Sequence, residues 1–531
     1  MDMFDVIGSY GPWQRRTFAV FFYMNIVGVW QTLSVTFLAP NVDFECVEPQ
    51  SMYTPVDNHT TFDGRCEVLF ANGTLEKCTR WEYDVANFSR NIVSEWDLVC
   101  DRQWLVSLAK SVYMFGFLAS VFIFGQMSDW LGRFATIVTC YTINITAMFL
   151  SMLSSSYTMF AVFRFLQAFG RTGMSTTGIV LVMEMMGPDH RAKAGILIQV
   201  GWAFGFITLV PVAWFIRNWF WFQFALGMSL LPVAFCFRII PESPRWLLMR
   251  GKKDQLERLL KEAASLNKRQ LKQEVKDMEL FKGNDDQKAK TLIHLLKMPK
   301  MRKRAMIMIY LWIVNAFTYY GLSFNTNDFA GDPYLNFFIS GLIEFPSYAL
   351  MYWGALKVGR RPTFLWLTFV GGAACVAILA VPGQYLWLQT TFAMIGKLCV
   401  NGSFGLLYLY TSELFPTVVR NAALGTCSMC ARVGSILAPF VRELGLSTHT
   451  SVPNVLYGVL ALTSGSLALL VPETKGSNMP DTMEEGEAFG VSPSSGNDPK
   501  LKLEPDTCPP LLLKEMTDIN GKLINDSNQS H

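Results

Sequence analysis

The sequence predicts an all-α membrane protein of twelve spanning helices arranged as two six-helix halves. Three observations predict it. Hydrophobic residues make up 51% of the 531-residue chain and charged residues only 16%, a balance unlike that of an ordinary soluble domain. Twelve stretches reach the roughly 20 apolar residues that a helix needs to cross a bilayer. Motifs also repeat at long range: Gly132-Arg133 recurs as Gly359-Arg360, Glu184 with Arg191 as Glu413 with Arg420, and Pro241-Glu242-Ser243 as Pro472-Glu473-Thr474. The offsets are 227, 229 and 231 residues. Parallel halves of this kind hold a transported solute between them.

The expected spans are 17–40, 104–126, 134–153, 157–185, 194–216, 219–240, 305–324, 335–357, 363–381, 386–411, 421–441 and 452–471. The first six form an N-terminal half, 1–240, and the last six a C-terminal half, 305–471. Arg15 and Arg16 precede a first span that is too long for a cleaved signal peptide and lacks a small-residue cleavage site. Basic residues in the short loops (Arg15, Arg16, Arg133, Arg191, Lys193, Lys357, Arg360, Arg361 and Arg420) fall on one side, which is therefore predicted to be cytoplasmic. The same side receives the basic, partly helical linker 241–304 and both termini. The tail, 472–531, is rich in Ser, Pro, Asp and Glu from about residue 477 and is expected to be mostly disordered.

The opposite side carries one large insertion, residues 41–103. Its Cys46, Cys66, Cys78 and Cys100 predict two disulfides, with three connectivities open. Asn58, Asn72 and Asn87 begin glycosylation sequons in the same loop. Sequons at Asn525 and Asn528 lie in the tail and are expected to be silent.

Gly125-Gln126-Met127-Ser128-Asp129-Trp130-Leu131-Gly132-Arg133 joins the second and third spans. It resembles the loop signature of the major facilitator superfamily, with Trp130 and Phe134 at positions that are usually basic. Its second copy, Leu356-Lys357-Val358-Gly359-Arg360-Arg361, lacks the acid. Pro241-Glu242-Ser243-Pro244-Arg245-Trp246, Thr411-Ser412-Glu413 with Arg420, Pro472-Glu473-Thr474-Lys475-Gly476 and the cysteine-bearing loop together resemble the organic cation, anion and carnitine transporter family, which is solute carrier family 22. The resemblance spans residue 4 to about 485. It implies a plasma-membrane carrier of small charged organic solutes that works by alternating access. The expected gating and salt-bridge residues are Asp129, Arg133, Arg164, Glu184, Arg191, Glu242, Arg245, Glu413, Arg420 and Glu473.

Charges inside spans are costly, about 2.5–3.5 kcal/mol each on insertion scales, and so demand a partner or a wet cavity. Lys110, Arg164, Arg171, Glu344, Lys397 and Arg432 are such charges. The resemblance aligns Glu344 with a cavity acid of cation carriers and Arg432 with a base of anion and carnitine carriers. The combination points to a zwitterion, with Arg432 as a bidentate carboxylate clamp and Glu344 facing an ammonium or balancing charge. The competing expectation is that Glu344 and Arg432 neutralise one another in a dry interior. Tyr319, Tyr320, Gln199, Trp202, Tyr408, Trp30 and Gln31 are expected to complete the substrate site through cation–π and polar contacts.

All five histidines (His59, His190, His294, His449 and His531) fall in loops or tails, and no phosphate-binding Gly-Lys-Ser loop occurs. These features argue against an enzyme and against an ATP-driven pump. A channel and a non-transporting sensor are the remaining rivals, and an organic anion exchanger is the alternative carrier. No cofactor, metal or nucleic acid is implied, and a coupling ion, Na+ or H+, has no identifiable ligand set. The partners are the bilayer and the solute, and the oligomeric expectation is a monomer or weak homo-oligomer.

Overall fold

The structure, a computed structural model, describes residues 7–47, 65–69, 75–84, 89–269, 297–328, 331–382, 384–449, 451–477 and 479–489. Twelve helical spans follow one another. In the first half they are α1 Pro12–Leu33, extended by Val35–Leu38, α2 Trp104–Leu131, α3 Arg133–Met152, α4 Tyr157–Met185, α5 Pro188–Phe215 and α6 Trp219–Met228, extended by Leu231–Cys236. In the second they are α7 Pro299–Phe324, α8 Pro333–Leu342 with Glu344–Lys357, α9 Arg360–Ala377, α10 Leu386–Leu414, α11 Arg420–Leu437 with Phe440–Ser447, and α12 Val452–Ala468. Among the described residues nine of these stretches satisfy length and hydropathy limits for crossing a membrane.

Proline chemistry explains the interruptions of α6, α8 and α11. A proline lacks the N–H that would bond the carbonyl four residues earlier. Pro232, Pro346 and Pro439 thus release the carbonyls of Met228, Leu342 and Ser435, and α6, α8 and α11 break at or just after those positions. The break in α8 leaves Glu344 as the first residue of the resumed helix.

The 41–103 loop adds two short antiparallel ribbons. In one, β1 Phe44–Cys46 pairs with β4 Trp81–Tyr83; in the other, β2 Glu67–Leu69 pairs with β3 Leu75–Lys77. Cys46 bonds Cys78 and Cys66 bonds Cys100, which selects one of the three connectivities. Arg90 Nη2 donates to Glu95 Oε1 at 2.6 Å. That hydrogen bond holds the Glu95 carboxyl below the usual carboxylate range. Asn58, Asn72 and Asn87 lie outside the described residues.

The linker forms helices Pro244–Met249 and Lys253–Leu266 against the first half. The tail departs from expectation between 482 and 489. Thr482 caps a helix, Met483–Ala488, with Glu485 closing a capping box. Glu487 accepts the N–H groups of Lys300 and Met301 at the start of α7, and Arg304 Nη1 donates to Gly486 O at 2.6 Å. Composition is too polar here for independent folding, but α7 supplies the unpaired donors that order it.

Candidate functional site

The repeated motifs build two matching clusters at the face that carries the linker. Arg133 forks onto Glu184, Nε to Oε2 at 3.1 Å and Nη2 to Oε1 at 2.9 Å, and Arg360 forks onto Glu413 at 2.9 and 2.7 Å. Asp129 adds a contact to Arg133 at 3.0 Å, which the second copy cannot reproduce because it lacks the acid. Glu242 accepts Arg133 N at 2.8 Å at the start of α3, and Glu473 accepts Arg360 N at 3.0 Å at the start of α9. Both carboxylates sit where unpaired N–H groups and the helix dipole favour an anion. Gly132 and Gly359, with φ of 105° and 131°, let them approach.

Four of the expected salt-bridge residues make other contacts. Glu242 and Glu473 cap backbone N–H groups instead of binding a side-chain cation across helices. Arg191 Nε donates to Met183 O and Met186 O, both at 3.1 Å, and Arg420 Nε to Phe415 O at 3.4 Å. Glu184 and Glu413 are engaged by the motif arginines, so these two bases bind carbonyls at the ends of α4 and α10. Arg245 is exposed and makes no ion pair among the described residues. Arg164 is fully buried without an acid: its Nη1 meets Gln31 O, Ser34 Oγ and Gln167 Oε1 at 3.2–3.4 Å, and it lies 4.3 Å from the Tyr113 ring centroid.

Nearer the centre, Glu344 is 1% exposed. Tyr319 OH donates to its Oε1 at 2.9 Å and Tyr348 OH, one turn along α8, to its Oε2 at 3.3 Å. Lys397 Nζ of α10 lies 4.0 Å from Oε1, bonds Ser340 Oγ and sits 4.1 Å from the Phe206 ring centroid. Trp202 Nε1 of α5 donates to Tyr319 OH at 2.8 Å. A polar chain therefore runs from the first half to the buried acid of the second.

Arg432 and Arg171 form a separate cationic pole. Their guanidinium carbons lie 5.4 and 5.0 Å from the centroid of one ring, Phe117, and Arg171 is 5.8 Å from Trp202. Neither forms an ion pair among the described residues, and the Nε of each is buried without a hydrogen-bond partner. Glu344 and Arg432 thus do not neutralise each other, because Lys397 occupies the acid. The two poles are joined through Trp202 and Tyr319.

The other expected substrate contacts divide. Tyr320 packs edge-on to Tyr319 at 5.3 Å, and Tyr408 contacts Trp312 at 4.5 Å. Gln199 is exposed. Trp30 Nε1 donates to Thr208 Oγ1 at 2.9 Å. Gln31 is 0% exposed and accepts from Asn144 at 3.2 Å, so in this structure it belongs to the polar core around Arg164. The sequence does not single out Phe117 or Phe206, which are ordinary among 41 phenylalanines. Tyr348 carries a signal, its i,i+4 spacing from Glu344 on one helix face.

The halves join at the face bearing the disulfide loop. Phe37 packs on Tyr334 and Phe337 at 5.4 and 4.9 Å, Asn327 Nδ2 donates to Thr36 O at 2.7 Å, Ser107 Oγ to Glu443 Oε1 at 2.7 Å, and Lys110 Nζ to Phe324 O at 3.2 Å. At the linker face the motif clusters each stay within one half. The halves therefore meet at the loop face in this structure.

The chain matches the family model for sugar (and other) transporters over residues 58–484. An organic cation transporter protein of Drosophila melanogaster is 34% identical over 523 residues, covering 93% of this chain and 95% of that one. This chain belongs to solute carrier family 22 of the major facilitator superfamily. Solute carrier family 22 member 3 of Rattus norvegicus is 31% identical, covering 83% of the transporter and 80% of that relative. Among solved structures, the D-xylose-proton symporter superposes on this transporter with a TM-score of 0.59 at 14% identity, covering 87% of it and 99% of the symporter. An inward-open conformation of the xylose transporter of E. coli gives 0.56 at 15% identity, covering 92% and 100%. At such identities the likeness is one of fold. The protein is a multi-pass membrane transporter and not an enzyme.

Proposed function

We propose that this transporter carries a small organic zwitterion across the plasma membrane, with both termini cytoplasmic. The observation that carries the reading is the pair of guanidinium groups sharing Phe117, each with an orphaned Nε and without a carboxylate partner among the described residues. Arg171 is buried and Arg432 half-buried; cations so withdrawn from water are costly without a counter-ion, and a substrate carboxylate supplies it. Trp202, Tyr319 and Tyr320 offer aromatic surface to an amine beside it, and Glu344 supplies the negative end of the chain. Carnitine-like and amine-bearing acids have this chemistry. Two Drosophila melanogaster relatives are named as organic cation transporters, which agrees with an amine-bearing solute.

The closed loop face supports an inward-facing state. Arg133–Glu184 and Arg360–Glu413 are the proposed rigid clusters about which the halves rock, biasing the balance between states.

Uptake of labelled carnitine, a simple quaternary cation and an amine-free carboxylate tests the reading, each with and without sodium, in wild type, Arg432→Lys and Arg432→Gln at matched surface expression. Loss of charge-assisted bonds of about 1.5–3 kcal/mol predicts a fall of roughly tenfold to a hundredfold in carboxylate uptake. Unchanged carboxylate uptake in either variant refutes the clamp. The same cationic pole also favours a second reading, an organic anion exchanger; equal uptake of the amine-free carboxylate would select it.

A further inference from the structure

A cavity of about 390 Å³ opens near the loop face, inside the second half and away from the Arg432 pole. This is the size of a small-molecule site. It is walled by the loop-side ends of α7, α10, α11 and α12. The helix break at Pro439 and the close Gly445–Pro453 approach set how α11 and α12 meet there. Asn41, from the end of the first span, closes one side: its Nδ2 donates to Asn327 O at 3.3 Å and its Oδ1 accepts from Arg442 Nη2 at 2.7 Å.

The lining has a definite chemistry. Arg442 is its one charged residue among the described residues. Glu443, 3.8 Å from Arg442 Nη1, does not line the cavity, and its Oε1 accepts Ser107. Asn325 lines the wall, is 8% exposed, and its buried Oδ1 has no hydrogen-bond partner among the described residues; Asn327 Oδ1 is in the same condition. Leaving such a buried acceptor unmet is unfavourable, so these oxygens call for a donor. Leu322, Ile378, Leu386 and Pro453 make the remaining wall apolar.

We infer that this cavity is a second ligand site, for a small carboxylate with an apolar body and a hydroxyl or amine donor. The carboxylate pairs with Arg442, the donor meets Asn325 Oδ1, and the body fills the apolar wall. Because Asn41 belongs to the other half, the site is complete only while the loop face is closed. The ligand therefore favours that state over the outward-facing one and lowers Vmax when added outside.

Mandelate is the probe, with phenylacetate lacking the hydroxyl and mandelamide lacking the charge. Thermal unfolding of the purified full-length protein is measured with each, in wild type, Arg432→Gln, Asn325→Leu and Asn454→Phe, the last filling the cavity. The expected result is a saturable rise in Tm with mandelate that is retained in Arg432→Gln and lost in both Asn325→Leu and Asn454→Phe, with smaller shifts for the two analogues. Monodispersity and the ligand-free Tm show whether each variant folds, and one folded cavity variant suffices. Absence of a shift in wild type, loss of the shift in Arg432→Gln, retention in a folded cavity variant, or equal shifts with the three probes each overturn the inference. Failure of the carboxylate clamp at Arg432 leaves this result unaffected, so the two are judged separately.

Discussion

Breaking the Lys397–Glu344 pair one residue at a time should harm this transporter more than removing both charges. Each residue is 1% exposed, and Nζ lies 4.0 Å from Oε1. At an effective dielectric of about 20 the attraction at that distance is about 4 kcal/mol, opposed by the cost of desolvating both ions. Glu344→Gln leaves Lys397 with Ser340 and the Phe206 ring, and Lys397→Met leaves Glu344 with two tyrosine donors. An orphaned buried charge of this kind costs about 3–5 kcal/mol. The double variant loses the attraction and also both desolvation penalties, so its stability should lie close to wild type. Denaturant unfolding of the four proteins in one detergent, combined as a double-mutant cycle, gives the coupling directly. A coupling of about 2 kcal/mol or more is expected. Additive losses, with the double variant the least stable, would show that the two groups do not act as a pair.

Three other outcomes follow from the geometry. Gly132→Ala and Gly359→Ala should each cost more than about 1 kcal/mol, because a Cβ adds strain at positive φ and would meet Glu242 Oε2 at 2.5 Å or Glu473 Oε2 at 2.9 Å; thermal unfolding checks it, and wild-type midpoints would contradict it. A non-reducing peptide map should recover Cys46 with Cys78 and Cys66 with Cys100, and a Cys46–Cys66 peptide would overturn that pairing. Since Arg90 depresses the Glu95 carboxyl, its contribution is complete above the unfolded carboxylate pKa of about 4.3 and is lost as pH falls through the lower folded value. Arg90 is exposed and Glu95 half-buried, so solvent screening keeps the effect below about 1 kcal/mol; hydrogen exchange at residues 90–95 should rise with acid in wild type, and Arg90→Met should remove that pH dependence.

Much of the linker-face machinery was legible in the sequence because it is repeated. Arg133, Glu184, Arg360 and Glu413 recur at nearly one offset, and the structure gives both sets the same arginine–glutamate fork, with Asp129 an addition in the first. Their partners were less legible. The spacing suggested that Glu184 works with Arg191, whereas the fold brings Arg133 of α3 onto it and leaves Arg191 to the carbonyls of α4. Glu242 and Glu473 looked like ion-pair acids, but they cap helices that begin more than 100 residues earlier, at positions only tertiary packing brings together.

By itself the sequence determined the twelve spans, the two halves and the disulfide-bearing loop, because hydropathy and repeats are local or additive properties of the chain. The tertiary structure alone decided which charge meets which. Lys397 rather than Arg432 takes Glu344, Arg171 joins Arg432 at Phe117, and Gln31 turns away into the core. A buried ion takes the counter-ion that the packing of four or five helices sets within a few ångströms, and linear spacing carries no record of that choice.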